Sequence, residues 1–124
     1  MKKLKQKIMH RDSRGIIVDL LEKKKINSVT FITQKKGKIR GNHYHKKTIQ
    51  WNYLLKGKIL LVAQKKNSPI KKIILNVGDI VVTEKNEKHA IKALKNSEFL
   101  VFTQGPRGGK DYEKDTYRLL TPIA

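Results

Sequence analysis

At 124 residues, with 29 basic side chains against 10 acidic ones, the chain carries a formal charge of +19 and no cysteine. That length supports one hydrophobic core, and so a single domain over residues 1–124; the missing thiols exclude disulfides and thiolate metal sites and suit a reducing, cytoplasmic interior. The basic start Met1–Lys7 runs straight into His10, Arg11 and Asp12 instead of the apolar stretch of a secretory signal, and no run is long enough to cross a bilayer.

Short runs of Ile, Val, Leu, Thr and Phe recur, broken by Gly, Asn, Lys and Pro, which predicts an almost entirely β protein. Strands are expected near 15–21, 27–34, 38–45, 50–56, 58–64, 70–76, 79–83, 88–94, 97–103 and 117–121. Residues 20–25 alone support a helical turn, and a weak one. Gly57, between Leu54–Lys56 and Lys58–Leu60, reads as the tight reversal of a hairpin, and Asn76–Asp79 as a second turn. Gly105–Lys110 is a loop, followed by a polar, charge-rich tail from Lys110 to Tyr117. About ten short strands with close turns point to a sandwich or small barrel, because closure removes exposed edges.

Histidine is scarce, with four residues in all, yet two stand one residue apart in the expected strand 38–45. Alternate side chains on a strand share a face, so His43 and His45 project together. Such a pair can bind a metal, move protons near neutral pH, or simply sit on a solvated strand. Spacing alone leaves all three open. Asn52 shares the inward face with Gln50, either lining a pocket or making a structural hydrogen bond. Trp51 and Phe31 read as core or interface residues. His10 belongs to a surface turn ahead of Asp12-Ser13-Arg14-Gly15.

The positive field attracts polyanions, whether nucleic acid, an anionic membrane surface or a phosphorylated small molecule. The excess is nearly all lysine, spread from Lys2 to Lys114. A lysine-biased composition on solvent-facing positions accounts for it as well as a functional field does. The aromatic-plus-basic pattern of single-strand binders is missing, so nucleic acid ranks last among partners.

The series Gly37-x5-His43-x-His45-x4-Gln50-x6-Gly57 resembles the first cupin motif, with Gln50 where that motif usually has glutamate. Gly78 and His89 stand at the spacing of the second motif, with Glu84 and Asn86 in place of its usual proline and glycine. The resemblance implies a small jelly-roll barrel in which His43, His45, Gln50 and His89 converge inside the mouth. Asp12-Ser13-Arg14-Gly15 and Arg40-Gly41-Asn42-His43-Tyr44 are similar to the 3,5-epimerases of dTDP-4-keto-6-deoxyglucose. Arg40 to Gln50 is similar to the 3,4-ketoisomerases acting on the same intermediate, which also carry glutamine after Arg-Gly-x-His-x-His-Lys-Lys. Gly41–His45 and Asp115-Thr116-Tyr117 resemble the cupin domain that ends capsular-polysaccharide sugar reductases.

These resemblances imply an isomerase or epimerase acting on a nucleotide-diphosphate-linked 4-keto-6-deoxysugar, in surface polysaccharide synthesis and without a required cofactor. His43 is the expected base and His45 the relay or return path. Arg40 is expected to donate to the diphosphate or to developing oxyanion charge, with Gln50 and Asn52 lining the substrate site. The resemblance also implies a homodimer, in which Arg14 reaches the neighbouring subunit's site. The epimerases use a tyrosine as acid; Tyr44 points away from His43, so Tyr112 or Tyr117 would have to fold back. Two alternatives stand beside this one. His43, His45 and His89 can hold zinc or iron in a metal-dependent cupin acting on another small molecule, although Gln50 removes the anionic ligand. The chain can also be a non-catalytic ligand-binding or polyanion-binding module.

Overall fold

The computed structural model describes residues 1–124. Its strands are β1 (Lys2–Lys3), β2 (Lys7–Asp12), β3 (Gly15–Asp19), β4 (Ser28–Gln34), β5 (Ile39–Tyr44) and β6 (Ile49–Lys56). They continue with β7 (Ile59–Gln64), β8 (Lys71–Leu75), β9 (Ile80–Thr83), β10 (Lys88–Ala93), β11 (Ser97–Gln104) and β12 (Tyr117–Arg118). One short helix, α1 (Lys110–Lys114), precedes β12. No helix is long and apolar enough to cross a membrane.

Two five-stranded antiparallel sheets, ordered β1-β9-β6-β11-β4 and β12-β5-β10-β7-β8, face each other as a jelly roll, the all-β fold expected. The strand β11 shows why these residues form a sheet. Its side chains alternate between buried and half-buried, with Phe99, Val101 and Thr103 inward and Leu100 and Phe102 outward. Fully burying an aliphatic or aromatic side chain such as Phe99 stabilises by about 1.5–3 kcal/mol. The interior is graded along its length. The inward positions of β6 run Gln50, Asn52, Leu54; Leu54 joins Ile59, Leu61, Leu75, Val81 and Phe99 in the apolar core at one end. Gln50 and Asn52 line a chamber at the other end. A polar mouth above an apolar plug is the result.

Three expectations change. The segment around Gly57 is not a hairpin, because β6 and β7 belong to opposite sheets and do not pair. Gly57 instead turns the corner between them. At φ +91 it has no room for a side chain, since a Cβ would lie 2.4 Å from the Asn96 carbonyl oxygen and from Ser97 Oγ. The turn at Asn76–Asp79 forms as expected, closed by the Asp79 amide donating to the Asn76 carbonyl at 2.9 Å, and it too carries the chain from one sheet to the other. Residues 20–25 form no helix, and the helix lies instead in the expected polar tail. Two N-terminal strands were not expected. One of them, β2, pairs with β3 as a separate two-stranded ribbon, with His10 on its strand rather than in its turn.

The ribbon springs from the outer face of the first sheet. Leu4, Leu21 and Ile26, which flank it, cover a second apolar cluster of Trp51, Ile80 and Val82 there. Trp51 is therefore a core residue, as expected, whereas Phe31 on the edge strand β4 is 55% exposed.

Candidate active site

The chamber lies between the two sheets and has a volume of about 420 Å³. Part of its lining is polar, from His43, His89, Gln50, Asn52 and Thr83, and part is apolar, from Ile32, Leu61, Ile91, Phe99 and Val101, with both sheets contributing to each part. Cross-strand register explains the polar part, since Gln50 pairs with Thr83 and Asn52 with Val81 across β6 and β9, and His43 pairs with His89 across β5 and β10. Gly41 makes the last pairing possible. A Cβ there would stand 2.9 Å from the His89 carbonyl oxygen, so only glycine lets β5 approach the bulge at His89 and Ala90.

Three of the four histidines come together. The ring of His43 lies 4.7 Å, centre to centre, from those of both His45 and His89, and the His45 and His89 rings are 5.3 Å apart. Their ligating atoms fall within 4.8 Å of one another. The outer nitrogens of two are fixed by backbone. His45 Nδ1–H donates to the Asp115 carbonyl at 2.9 Å and His89 Nδ1–H to the Glu87 carbonyl at 3.1 Å. Both rings therefore present an unprotonated Nε2, and that of His45 is buried without a partner. Glu87 is itself buried against the α-amino group of Met1, and its carboxylate also accepts from the Glu84 amide at 3.1 Å.

All three imidazoles are held neutral at pH 7. Burial, reinforced by His45 and Arg118, pushes His43 down to about 4. Burial with its two histidine neighbours pushes His89 down to about 3. Burial lowers His45 too, although the bond to the Asp115 carbonyl opposes it.

The C-terminal segment closes the chamber. Asp115, 4% exposed, accepts from the Lys46 and Lys47 amides at 3.1 Å and from the Thr48 hydroxyl at 2.6 Å. Burial pushes its carboxyl up, but these donors outweigh burial and hold it below the usual carboxylate value. This clamp folds α1 over the mouth. Tyr112 lays its ring 5.2 Å from that of His45, and the Arg107 guanidinium sits 4.2 Å above the Tyr112 ring. Arg118, opposite His43 in register, shares its face. Tyr117, one residue earlier, points the other way and stacks on Tyr44 at 5.1 Å.

Of the residues singled out from the sequence, His43, His89, Arg40, Gln50 and Asn52 line the chamber, with His45 packed directly behind His43. Asn52 also donates from Nδ2 to the Val81 carbonyl at 3.3 Å, so it meets both of its expected roles. Arg14 does not join them. It stands at the tip of the β2–β3 ribbon, 86% exposed and paired with Asp12. Of the two tyrosines that had to fold back, Tyr112 does and Tyr117 does not. Arg107, Arg118, Thr83 and the clamp at Asp115 were missed; the Asp115-Thr116-Tyr117 likeness was the only sign of the last.

The profile of the polysaccharide biosynthesis C-terminal domain matches residues 10–117. No curated protein sequence matches the chain. Similar solved structures include a 3,4-ketoisomerase from Helicobacter canadensis, 24% identical over 95% of this chain and 90% of that one, with TM-score 0.79. Another is a sugar 3,4-ketoisomerase from Thermoanaerobacterium thermosaccharolyticum in complex with TDP, 22% identical over 96% and 88%, TM-score 0.77. A third is a dTDP-4-dehydrorhamnose 3,5-epimerase from Sulfolobus tokodaii, 23% identical over 81% and 68%, TM-score 0.68. At these identities the likeness shows the fold alone, a small cupin barrel; the solved structures that share it are, as the resemblance implied, sugar 3,4-ketoisomerases and a 3,5-epimerase.

Proposed function

Because the chain belongs to the polysaccharide biosynthesis C-terminal domain family, we propose that it isomerises or epimerises a nucleotide-linked 4-keto-6-deoxysugar in the making of surface polysaccharide, in the cytoplasm. One observation carries the reading: neutral imidazoles gather with two amide side chains in a chamber whose mouth holds three arginines. A C–H bond beside a sugar ketone is acidic because its electron pair can delocalise onto the ketone oxygen. His43, facing the chamber and unprotonated at pH 7, takes that proton. The C–H pair becomes a C=C bond and the carbonyl π pair moves to oxygen, giving an enediolate. Gln50 and Asn52 offer N–H groups to that oxygen. Return of a proton to the neighbouring atom, or to the other face, completes the exchange with no net gain or loss of atoms. Tyr112, lying over His45, is suited to deliver it.

The test is to incubate the protein with dTDP- and UDP-4-keto-6-deoxysugars in deuterated water and follow the ring protons by NMR. Deuterium should enter at one ring carbon, and His43→Ala should abolish it. No entry with either nucleotide overturns the reading.

A homodimer is part of the proposal. Val29 and Phe31 lie exposed on the outer face of β4, an uncharged edge strand, and the ribbon exposes Ile8, Ile16 and Ile17. A second copy covering these surfaces brings its Arg14 toward the chamber.

A second reading rests on the buried, partnerless Nε2 of His45. Two backbone-oriented imidazoles and His43 suit a divalent ion, and His43, His45 and His89 would hold it. Bound zinc or iron would polarise the sugar ketone as a Lewis acid. Metal analysis of the purified protein tests this: near-stoichiometric zinc or iron, lost in His89→Ala, supports it.

A further inference from the structure

We infer that Arg107 and Arg118, both on the C-terminal segment, form with Arg40 a clamp for the substrate's diphosphate, and that Glu113 occupies the fork of Arg118 until the ligand displaces it. The inference rests on the reading that the ligand is a nucleoside diphosphate sugar.

The first ground is selective residue use. The chain has five arginines among 29 basic residues, yet three of the five line this one chamber and no lysine does. A composition biased to lysine explains the solvated surface but not this exception. Lysine is a point charge, whereas guanidinium offers a planar fork matched to paired oxygens. Arginine stands where that geometry is useful.

The second ground is what each guanidinium does with its donors. Arg107 holds its guanidinium carbon 4.2 Å from the centre of the Tyr112 ring and lines the chamber. Arg40 uses one Nη2–H on the Thr33 carbonyl at 3.2 Å. Arg118 meets Glu113 in a fork-to-fork pair, Nη1 to Oε2 and Nη2 to Oε1, both at 3.1 Å. That is the arrangement two phosphate oxygens would take. Arg118 is 68% exposed and Glu113 57%, so water already competes for the pair and exchange is easy. No carboxylate lines the chamber itself, so an entering dianion meets no repulsion beyond Glu113.

A purely structural role for the Glu113–Arg118 pair is the competing account. In it, the pair staples α1 to β12, and breaking it loosens the mouth. The two accounts predict opposite signs for one substitution, Glu113→Gln. As a staple, its loss weakens ligand binding; as a placeholder, its loss frees Arg118 and tightens it.

The experiment measures binding of dTDP and UDP, without sugar, to the full chain by titration calorimetry at about 50 mM salt, where screening of the arginines is weak. Arg107→Lys and Arg118→Lys, which keep the charge but lose the fork, should each weaken binding about tenfold. Glu113→Gln should tighten it about two- to fivefold. Lys72→Gln, which removes one charge from the exposed strand β8, should change it less than about twofold. A wild-type chain that binds neither nucleotide overturns the functional reading and the clamp with it. A wild-type chain that binds, with both arginine variants binding equally well, overturns the clamp alone and leaves the isomerase reading standing. Weaker binding by Glu113→Gln overturns the placeholder. Misfolding cannot imitate the expected pattern, because one variant gains affinity while two lose it.

Discussion

Replacing Asp115 by asparagine should unlock the C-terminal segment from the histidine cluster. Its buried carboxylate accepts from the Thr48 hydroxyl and two backbone amides. Hydrogen bonds to a charged group contribute about 1.5–3 kcal/mol each. Asparagine keeps one acceptor oxygen but turns an NH2 group toward donors that then have no acceptor, so a loss of about 2–4 kcal/mol is expected. At an unfolding entropy of about 2.1 cal/mol/K per residue, each kcal/mol lowers Tm by about 4 °C in a chain of this size. Urea unfolding measures the loss, and a cycle with Thr48→Val isolates the shared bond, with a coupling of about 1 kcal/mol or more expected. The same substitution should disturb the His45 ring, whose Nδ1–H donates to the Asp115 carbonyl; nitrogen-15 shifts of the imidazole should show mixed tautomers. A stability change under about 0.5 kcal/mol, or additive single variants, would refute the clamp.

Gly57→Ala should cost about 3 kcal/mol or more, because a left-handed backbone and a 2.4 Å approach to the Asn96 carbonyl coincide there; urea unfolding at native stability would contradict the corner assignment. Stability should fall in acid because of His43 and His89. Their folded pKa values, about 4 and about 3, lie below the unfolded 6.5, so the unfolded chain binds more protons as pH drops through that window. Allowing for the partial solvent access of His43, the loss from pH 6.5 to 4.5 is about 2–4 kcal/mol by denaturant titration, and His89→Gln should flatten the curve. Tyr112→Phe keeps the ring on His45 and under Arg107 but loses the hydroxyl, so kcat should drop about 10²–10³-fold with KM little changed, read by coupled turnover. Gln50→Glu should raise divalent-metal content and lower isomerase turnover, read by metal analysis and NMR.

The strands and half of the chamber were legible because both follow period-two alternation. His43, Gln50 and Asn52 point inward for the same reason that Phe99 and Val101 do. What was hidden depends on partners remote in sequence. Glycine at 57 signals a reversal, but which sheet the chain enters is set by Asn96 and Ser97, against which it packs. The strand β2, Lys7-Ile-Met-His-Arg-Asp12, is too polar and too exposed to show a strand pattern, and pairing with β3 alone organises it. Helix α1 has five residues and buries none of them, so no apolar period marks it; the Asp115 clamp holds it in place. Arg118 and Tyr117 are two adjacent residues on opposite faces of a two-residue strand, and their fates separate only once the register with His43 and Tyr44 is known.

Gln50 decides what kind of charge this chamber favours. An anionic side chain at that position would act on a protonated imidazole with about 3 kcal/mol for a separation of about 5 Å at an effective dielectric of about 20, raising its basicity and attracting a cation. With an amide there instead, the lining carries no negative charge, the imidazoles are neutral, and the fixed charges nearby are Arg40, Arg107 and Arg118. The field inside is therefore positive, which depresses His43 as a base in the free protein but stabilises negative charge wherever it develops. Under the proposed function, a diphosphate at the mouth would offset the Arg118 share of the lowered His43 basicity, and the amide donors of Gln50 and Asn52 would remain to meet an enediolate oxygen. Burial sets the weak basicity of His43, and a neutral residue at position 50 leaves that burial uncompensated while keeping the lining suited to an anion.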